Sequence, residues 1–560
     1  TVAILCAGLL SASEASAQRP EQGEKPVAEG TQAMASSSHP QVTEAILDVL
    51  KDGGNAVDAM LTAIPLQHVL EPQMSTLAGG MGGLIYWAET DELVYLDAEL
   101  DHTRDAPAAG SMARPESIPT TSGQRIGVPG TVPGMQAAAE RFGSRDWAAY
   151  FGPAIEAAEN GYPMYSFLYG EASAAYERIG AHPETRKIWM PDGFLPPAGD
   201  LVMQTELAAT LKRLAQEGPR YFTEGGWAQR FVEAVNRTGG GITREEVAGY
   251  APRWVEPVAV SYLGTEFRGA PPASFGGVLN GMVFNILERF DLEAMGHYTD
   301  SAEALATIRK AFDFATSQTR SFVSDPKTAE VPVETLLSKE LGGLHARLIE
   351  QSEVTADLSS KKAGLAAPGT RYAGAERQKA LNTDTNHLVI VDEAGNWVSM
   401  THTVYGDTFA TGLTVDGVFV NSGNTFPGTG AGEGRRVITP FPALMALDDA
   451  GRPWLALGSP GLSTWAVATT VVNMLGYGME PYTAVDAPRF RGFGRFTPLQ
   501  VESRLAPEVF DGLAARGIEV AKSAPYNWHM GSIQLIRRDR QNGRLTGVAD
   551  PRRGGHAAGY

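Results

Sequence analysis

Between Ser352 and Asp384 the chain loses its aliphatic periodicity and becomes rich in Lys, Ala, Gly and Thr, the composition of a linker. At Thr385 it turns at once into Thr385-Asn-His-Leu-Val-Ile-Val-Asp392, a run with the character of a strand. Any fold must accommodate this division. Ala- and Leu-rich helical stretches alternate with short strands before the linker, and strands and helices alternate again from Thr385 to Tyr560. That pattern predicts a layered α/β domain whose sheets draw strands from both sides of the linker. The junction also has a chemical meaning. If the chain were cut between Asp384 and Thr385, Thr385 would gain a free α-amine beside its own hydroxyl. Nucleophile and base would then share one residue.

At 560 residues the chain exceeds the usual size of one core, so two domains or one large multilayer α/β unit are expected. Hydrophobic residues make up 43% and charged residues 20%, the balance of a soluble globular protein. The net charge of −18 gives no footprint for nucleic acid or for an anionic membrane. At the start, the apolar run from Val2 to Leu10 is too short to span a bilayer, and Ala15-Ser16-Ala17 offers the small-x-small pattern of a signal peptidase site. Residues 1–17 therefore read as an export signal lacking its basic beginning, and the mature chain is expected in the periplasm or secreted. Cys6, the only cysteine, would leave with that signal, taking with it any disulfide or cysteine chemistry. Leu5 is too bulky for a lipoprotein site at Cys6, and no run reaches 18 apolar residues, so no membrane anchor is expected.

Val42, Ile46, Val49 and Leu50 recur at helical spacing before a Gly53-Gly54 stop, and Asn55 opens a second helix. Leu84–Trp87 and Leu93–Leu96 read as a hairpin around an acidic turn. A second hairpin is more consequential. Thr385–Val391 and Asn396–Thr403 flank a short loop in which Gly395 suits the left-handed position. Pairing about Ala394 sets Val391 against Trp397, Val389 against Ser399, His387 against Thr401, and Thr385 against Thr403. Two threonine hydroxyls would meet at the open end of this hairpin, beside the linker. Further on, Gly458-Ser-Pro-Gly461-Leu-Ser463 leads into a helical run, Thr464–Leu475, ended by Gly476. Free N–H groups at such a helix start suit an oxyanion.

Other chemistries lack their residues. Gly80-Met81-Gly82 is without the third glycine of a dinucleotide fingerprint and reads as close backbone packing. Ser359-Ser-Lys-Lys362 has no accompanying Ser-Asp-Asn or Lys-Thr-Gly. His-Glu-x-x-His is absent and the ten histidines are scattered, so neither a metal nor a cofactor is expected.

Seven motifs in order carry a resemblance over nearly the whole mature chain. They are Gly54-Asn-Ala-Val-Asp-Ala59, Gly127-Val-Pro-Gly-Thr-Val132, Pro271-Pro-Ala-Ser-Phe-Gly-Gly277, Thr385-Asn-His387 with Val391-Asp392, Gly458-Ser-Pro-Gly461, Ala487-Pro-Arg-Phe490, and Asp550-Pro-Arg552 with the ending Gly559-Tyr560. Together they resemble the γ-glutamyltranspeptidase family of N-terminal-nucleophile hydrolases. The resemblance implies a four-layer αββα sandwich and self-cleavage between Asp384 and Thr385. It also implies a large subunit, 18–384, and a small catalytic subunit, 385–560, that stay entwined. Thr385 would be the nucleophile, Thr403 would orient it, and the N–H groups of Gly461 and Leu462 would hold the oxyanion.

The family's glutamyl-binding pattern is altered here. Its Asn-Gln…Asp stretch corresponds to Asn421-Ser-Gly423-Asn-Thr425, and its Ser-Ser pair to Thr439-Pro440. Its carboxylate-binding arginine falls on Glu99 in Leu96-Asp-Ala-Glu99, while Arg104 in a second alignment is a replacement. Arg435 and Arg436 are further candidate anion contacts, against the plainer reading of a solvated basic pair. The expected substrate set is thus Arg104, Asn421, Gly423, Thr425 and Thr439. The implied activity is hydrolysis or transfer of γ-glutamyl or related acyl groups from small amides such as glutathione, through an acyl-threonine. The alternatives are an acylase for a non-glutamyl amide with the same mechanism, and a non-catalytic periplasmic binding protein or scaffold.

Overall fold

The computed structural model describes residues 22–104, 106, 117–351, 384–426, 434–460, 464–492 and 498–560. Two seven-stranded antiparallel sheets organise them. One runs in the order Ala28–Gly30, Leu545–Ala549, Gln534–Arg538, Pro453–Gly458, Leu444–Leu447, Thr265–Gly269, Val258–Tyr262. The other runs His556–Gly559, Met34–Ser37, Thr385–Val391, Trp397–Thr403, Gly80–Trp87, Glu92–Ala98, Arg253–Val255. Each sheet takes strands from before and after the 352–384 segment. The strand that begins at Thr385 lies inside its sheet, between Met34–Ser37 and Trp397–Thr403.

Successive side chains of a strand point to opposite faces, and here both faces are apolar. Val389 and Val391 face the other sheet and pack with Met34, Leu84, Trp397, Met445, Ala456 and Ile536. Leu388 and Ile390 face the opposite way, into a core shared with the helices Pro40–Lys51, Ala56–Leu70 and Thr131–Phe142. A third core covers the outer face of the other sheet. Phe267, Leu444, Leu455 and Leu535 meet the helices Gly276–Leu287, Ala302–Phe322 and Thr464–Gly476 there.

The hairpin that carries Thr385 has the register that its alternation predicts. Thr385 pairs with Thr403, His387 with Thr401, Val389 with Ser399 and Val391 with Trp397. Gly395 sits in the left-handed region at φ +87°, and its N–H bonds the Asp392 carbonyl. Asp392 closes the loop further, accepting from the Asn396 N–H at 2.9 Å through one oxygen and from the Ala56 N–H at 2.9 Å through the other. A carboxylate at a helix N-terminus is favourable. The loop therefore also fixes the helix Ala56–Leu70, whose own cap is an Asn55/Asp58 capping box. Among the described residues, no helix is long and apolar enough to cross a membrane.

Strand Gly80–Trp87 lies against Trp397–Thr403 with its glycines under close backbone approach. A β-carbon at Gly83 would stand 2.3 Å from the Ser399 carbonyl oxygen. Gly458 is similarly constrained, since a β-carbon there would meet the His387 ring at 2.2 Å. That ring cannot swing away. Its Nδ1 is bonded to Thr401 at 2.8 Å and its Nε2 to Ser399 at 3.0 Å. Overpacking of this kind costs about 1–3 kcal/mol. Gly458→Ala is expected to lower the urea unfolding free energy by about that amount, and an unchanged midpoint would refute this account of the glycine.

Candidate active site

Thr385 is 3% exposed and Thr403 2%. Their pairing brings the hydroxyls together, with Thr385 Oγ1 donating to Thr403 Oγ1 at 2.9 Å. Thr403 Oγ1 in turn donates, in a very short bond, to the carbonyl oxygen of Asp384. The N–H of Tyr405 donates to Thr403 Oγ1 at 3.1 Å. Tyr405 adopts φ +57° and Gly406 φ +91°, so the chain leaves Thr403 through a tight left-handed turn. A bulky residue in that region is uncommon and needs surrounding structure to hold it. Tyr405 has it, packed among Leu100, Val437 and Phe441 with Phe426 beside them. A continuous line of hydroxyls thus runs from the Thr385 side chain to the carbonyl of the peptide bond just before it. Thr403→Val keeps the shape and removes the relay. If that bond is the one the chain cuts, the substitution is expected to slow cleavage roughly 100-fold, followed as loss of the full-length band, whereas Thr403→Ser retains most of the rate.

The backbone of Thr385 is held from a second direction. Arg553 Nη1 donates to the Thr385 carbonyl at 2.8 Å. The guanidinium is buried and lies 5.1 Å from the Trp528 ring centroid. Acidic groups gather around this cation: Glu71, Glu171, Asp384 and Asp550 all bear on it electrostatically. Burial pushes Glu71 and Glu171 each up to about 7, against the pull of Arg553. Glu71 accepts from the Gln67 side-chain amide at 3.0 Å, and the Oε1 of that amide meets His402 Nε2 at 2.7 Å. Burial holds both His387 and His402 down at about 3, so both rings are neutral at physiological pH. They serve as hydrogen-bonding members of the hairpin. Arg553 escaped the sequence reading, which stopped at Arg552; nothing in sequence signals a contact across 168 positions.

Gly461 and Leu462 lie outside the described residues. The flanking strand Pro453–Gly458 ends against the ring of His387, a residue two positions along from Thr385. The helix Thr464–Gly476 begins shortly afterwards.

The residues expected to hold a substrate are placed differently from one another. Asn421 is buried and its amide is spent on backbone. Its oxygen accepts from Gly127 at 2.9 Å and Gly423 at 3.2 Å, and its nitrogen donates to Ala78 at 2.9 Å and Gly127 at 3.0 Å. Gly423 lies under Leu100, whose Cδ1 stands 2.2 Å from where a β-carbon would be. Thr425 ends a short 3-10 turn and is half-buried. Thr439 donates a very short hydrogen bond to Glu99, which also accepts from Tyr95 at 3.1 Å. Burial, helped by the charge of Asp97, pushes Glu99 up to about 8, so at neutral pH it is largely uncharged. Arg104 is exposed, and its backbone N–H donates to Glu246 at 2.6 Å. Asn424, which the sequence reading passed over, ties this region together by accepting from the Thr103 N–H at 3.0 Å and donating to the Thr103 hydroxyl at 2.9 Å.

Arg436 is neither a solvated cation nor an anion contact for a ligand. Its side chain is wholly buried, with Nε on Asp97 at 2.9 Å and Nη1 on Asp101 at 2.6 Å. Nη2 donates to the carbonyls of Asp97 and Ala251, and the guanidinium lies 4.6 Å from the Tyr250 ring centroid. The reason is a matched set of acids on the strand Glu92–Ala98 and just beyond it, invisible in a local Arg-Arg pair.

Known proteins resemble this chain over nearly its whole length. The sequence profile described as gamma-glutamyltranspeptidase matches residues 42–560. The glutathione hydrolase proenzyme of Bacillus subtilis strain 168 is 30% identical over 563 residues, covering 96% of this chain and 92% of its own. The acylase ACY 1 proenzyme of Pseudomonas sp. strain V22 is 29% identical, covering 94% and 93%. In three dimensions, the crystal structure of cephalosporin acylase from Bacillus halodurans superposes with a TM-score of 0.81 over 97% of this chain and 98% of that one, at 24% identity. At that identity the likeness speaks for the fold.

Proposed function

The chain belongs to the γ-glutamyltranspeptidase family, and on that premise we propose that it is a self-cleaving N-terminal threonine amidohydrolase that takes γ-glutamyl or related acyl groups from small amides such as glutathione. The fold is then the four-layer αββα sandwich of such enzymes. The precursor divides into a large subunit, 18–384, and a small subunit, 385–560, which remain associated. The mature protein acts in the periplasm or outside the cell, once residues 1–17 have been removed.

The single observation that carries this reading is the Thr385–Thr403 hydroxyl pair at 2.9 Å, on the first residue after the scissile bond. In turnover the freed α-amine of Thr385, with a reference pKa of about 8, takes the hydroxyl proton as Oγ attacks the amide carbonyl. The amine then returns that proton to the leaving nitrogen. Thr403 keeps Oγ in line by hydrogen bonding, and Arg553 holds the chain end by its carbonyl after the cut. The N–H groups of Gly461 and Leu462 are assigned to the oxyanion that forms on the substrate carbonyl. Water, or an acceptor amine, then releases the acyl group from Thr385.

A second reading, an acylase for a non-glutamyl amide, is favoured by a specific observation. Asn421, Thr439 and Glu99 satisfy each other or nearby backbone, leaving none of them unpaired for an amino-acid head group. Buried groups that already have partners give little to a ligand, and lost ionic contacts cost a few kcal/mol of binding. Arg104, at the exposed side, remains the assigned contact for a carboxylate. The test is a panel of p-nitroanilides on processed protein, with γ-glutamyl beside simple acyl groups. Release from γ-glutamyl-p-nitroanilide supports the first reading. Release only from the simple acyl amides selects the second. Binding without release from any of them would leave a non-catalytic scaffold.

A further inference from the structure

Self-cleavage has a difficulty that turnover does not. Before the cut, the nitrogen of Thr385 is an amide and cannot act as the base, and it must acquire a proton as it leaves. The hydroxyl line through Thr403 ends on the Asp384 carbonyl oxygen and does not supply the nitrogen. One further group stands next to the bond. Asp384 is 0% exposed, and neither of its carboxyl oxygens has a hydrogen-bond partner among the described residues. A buried carboxyl without a partner is costly, the more so if ionised, and such groups concentrate where chemistry requires them. This one belongs to the residue whose carbonyl is attacked, separated from the scissile carbon only by Cα and Cβ.

We propose that the Asp384 carboxyl is the proton carrier of self-cleavage, giving its proton to the Thr385 nitrogen as the peptide bond breaks. The inference rests on the self-cleavage proposed above and adds a role for a side chain that the subsequent turnover does not use. The steps balance. Thr385 Oγ bonds to the Asp384 carbonyl carbon while its proton passes through Thr403 to the carbonyl oxygen, giving a neutral tetrahedral adduct. The carbon–nitrogen bond then breaks as the Asp384 carboxyl protonates nitrogen. The hydroxyl on the former carbonyl carbon returns its proton to the Asp384 carboxylate as the carbonyl re-forms. An ester, a free amine and a neutral carboxyl result. Water then cleaves the ester, its oxygen going to the carbonyl carbon and one hydrogen to Thr385 Oγ.

The surroundings keep that carboxyl protonated. Burial raises it well above the usual carboxylate range, reinforced by Glu171 on the helix Ser166–Ala174 and by Asp407 on the turn after Thr403. Arg553 near the C-terminus and Arg178 on the helix Tyr176–Ala181 oppose the shift without cancelling it. Since the acid form acts, cleavage should slow as pH rises through the raised titration range of this carboxyl.

The experiment follows cleavage of freshly purified full-length precursor by intact mass, from pH 5 to 10, for wild type, Asp384→Asn and Asp384→Ala, with and without added formate. Both variants are expected to cleave about 100-fold more slowly than wild type and to lose that fall with rising pH. Formate should restore much of the rate to Asp384→Ala by occupying the vacated space. Cleavage of Asp384→Asn at the wild-type rate overturns the proposal, and so does slow cleavage of a folded Asp384→Ala that formate leaves unchanged. If melting curves show that neither variant folds, the wild-type profile decides: a fall with rising pH supports the proton carrier, and a flat rate overturns it. A wild-type chain that never cleaves would instead remove the self-cleavage reading itself, so the two failures are distinct.

Discussion

Thr385→Ala is expected to remain a single full-length chain on denaturing gels and to lose turnover by roughly 10⁴-fold or more, because in the proposed mechanism one oxygen serves both the cut and the catalysis. The loss should not come from misfolding. The Thr385 backbone stays in register with Thr403, and its carbonyl still accepts from Arg553. The variant also keeps both apolar faces of the strand, so its thermal midpoint should stay close to that of uncut wild type. Thr385→Ser, which retains a hydroxyl, should still cleave. A cut Thr385→Ala chain would assign the scission to another nucleophile or to a contaminating protease.

The second large effect is structural. Arg436→Met removes the closest cation from Asp97 and Asp101, both buried, leaving Asp97 only the longer contact to Arg253 at 3.8 Å. Breaking such a pair from one side typically costs about 3–5 kcal/mol. The backbone N–H of Arg436 also donates to Asp325, which pairs with Arg253, so the ion pairs extend to the sheet edge at Arg253–Val255. Under the proposed division, Asp97 and Asp101 lie in the large subunit and Arg436 in the small one. The destabilisation should therefore appear both in unfolding of uncut Thr385→Ala protein and in easier separation of the two pieces after cleavage. Urea unfolding and size-exclusion chromatography read these two outcomes. Arg435→Met, at the half-buried neighbour, should cost far less.

What the sequence made legible follows from range. The hairpin register was readable because strand alternation has a period of two, and Asp392, Gly395 and Asn396 specify one tight loop. The Thr385–Thr403 contact came with it. The helix Thr464–Gly476 and the capped helix Ala56–Leu70 were likewise local patterns. Long-range consequences were not readable. Arg436 looked like half of a surface pair, yet its partners lie 335 and 339 positions away. Asn421 looked like a substrate ligand because of its place in a motif, whereas its amide joins the Ala78 and Gly127 backbones. Arg553 and the unpartnered Asp384 carboxyl gained meaning only when burial surrounded them. Asparagine and arginine are versatile donors, and sequence names the donor without naming the acceptor.

If Thr385 becomes the N-terminal nucleophile of an acyl transfer, mass spectrometry of the small subunit will find the acyl group on it. Processed protein is mixed with the best p-nitroanilide from the panel, quenched in acid within the first turnovers and digested. The expected product is a fragment that starts at Thr385 and carries the mass of the acyl group on that residue. A small subunit that starts elsewhere, or an acyl group found on any other residue, would contradict it.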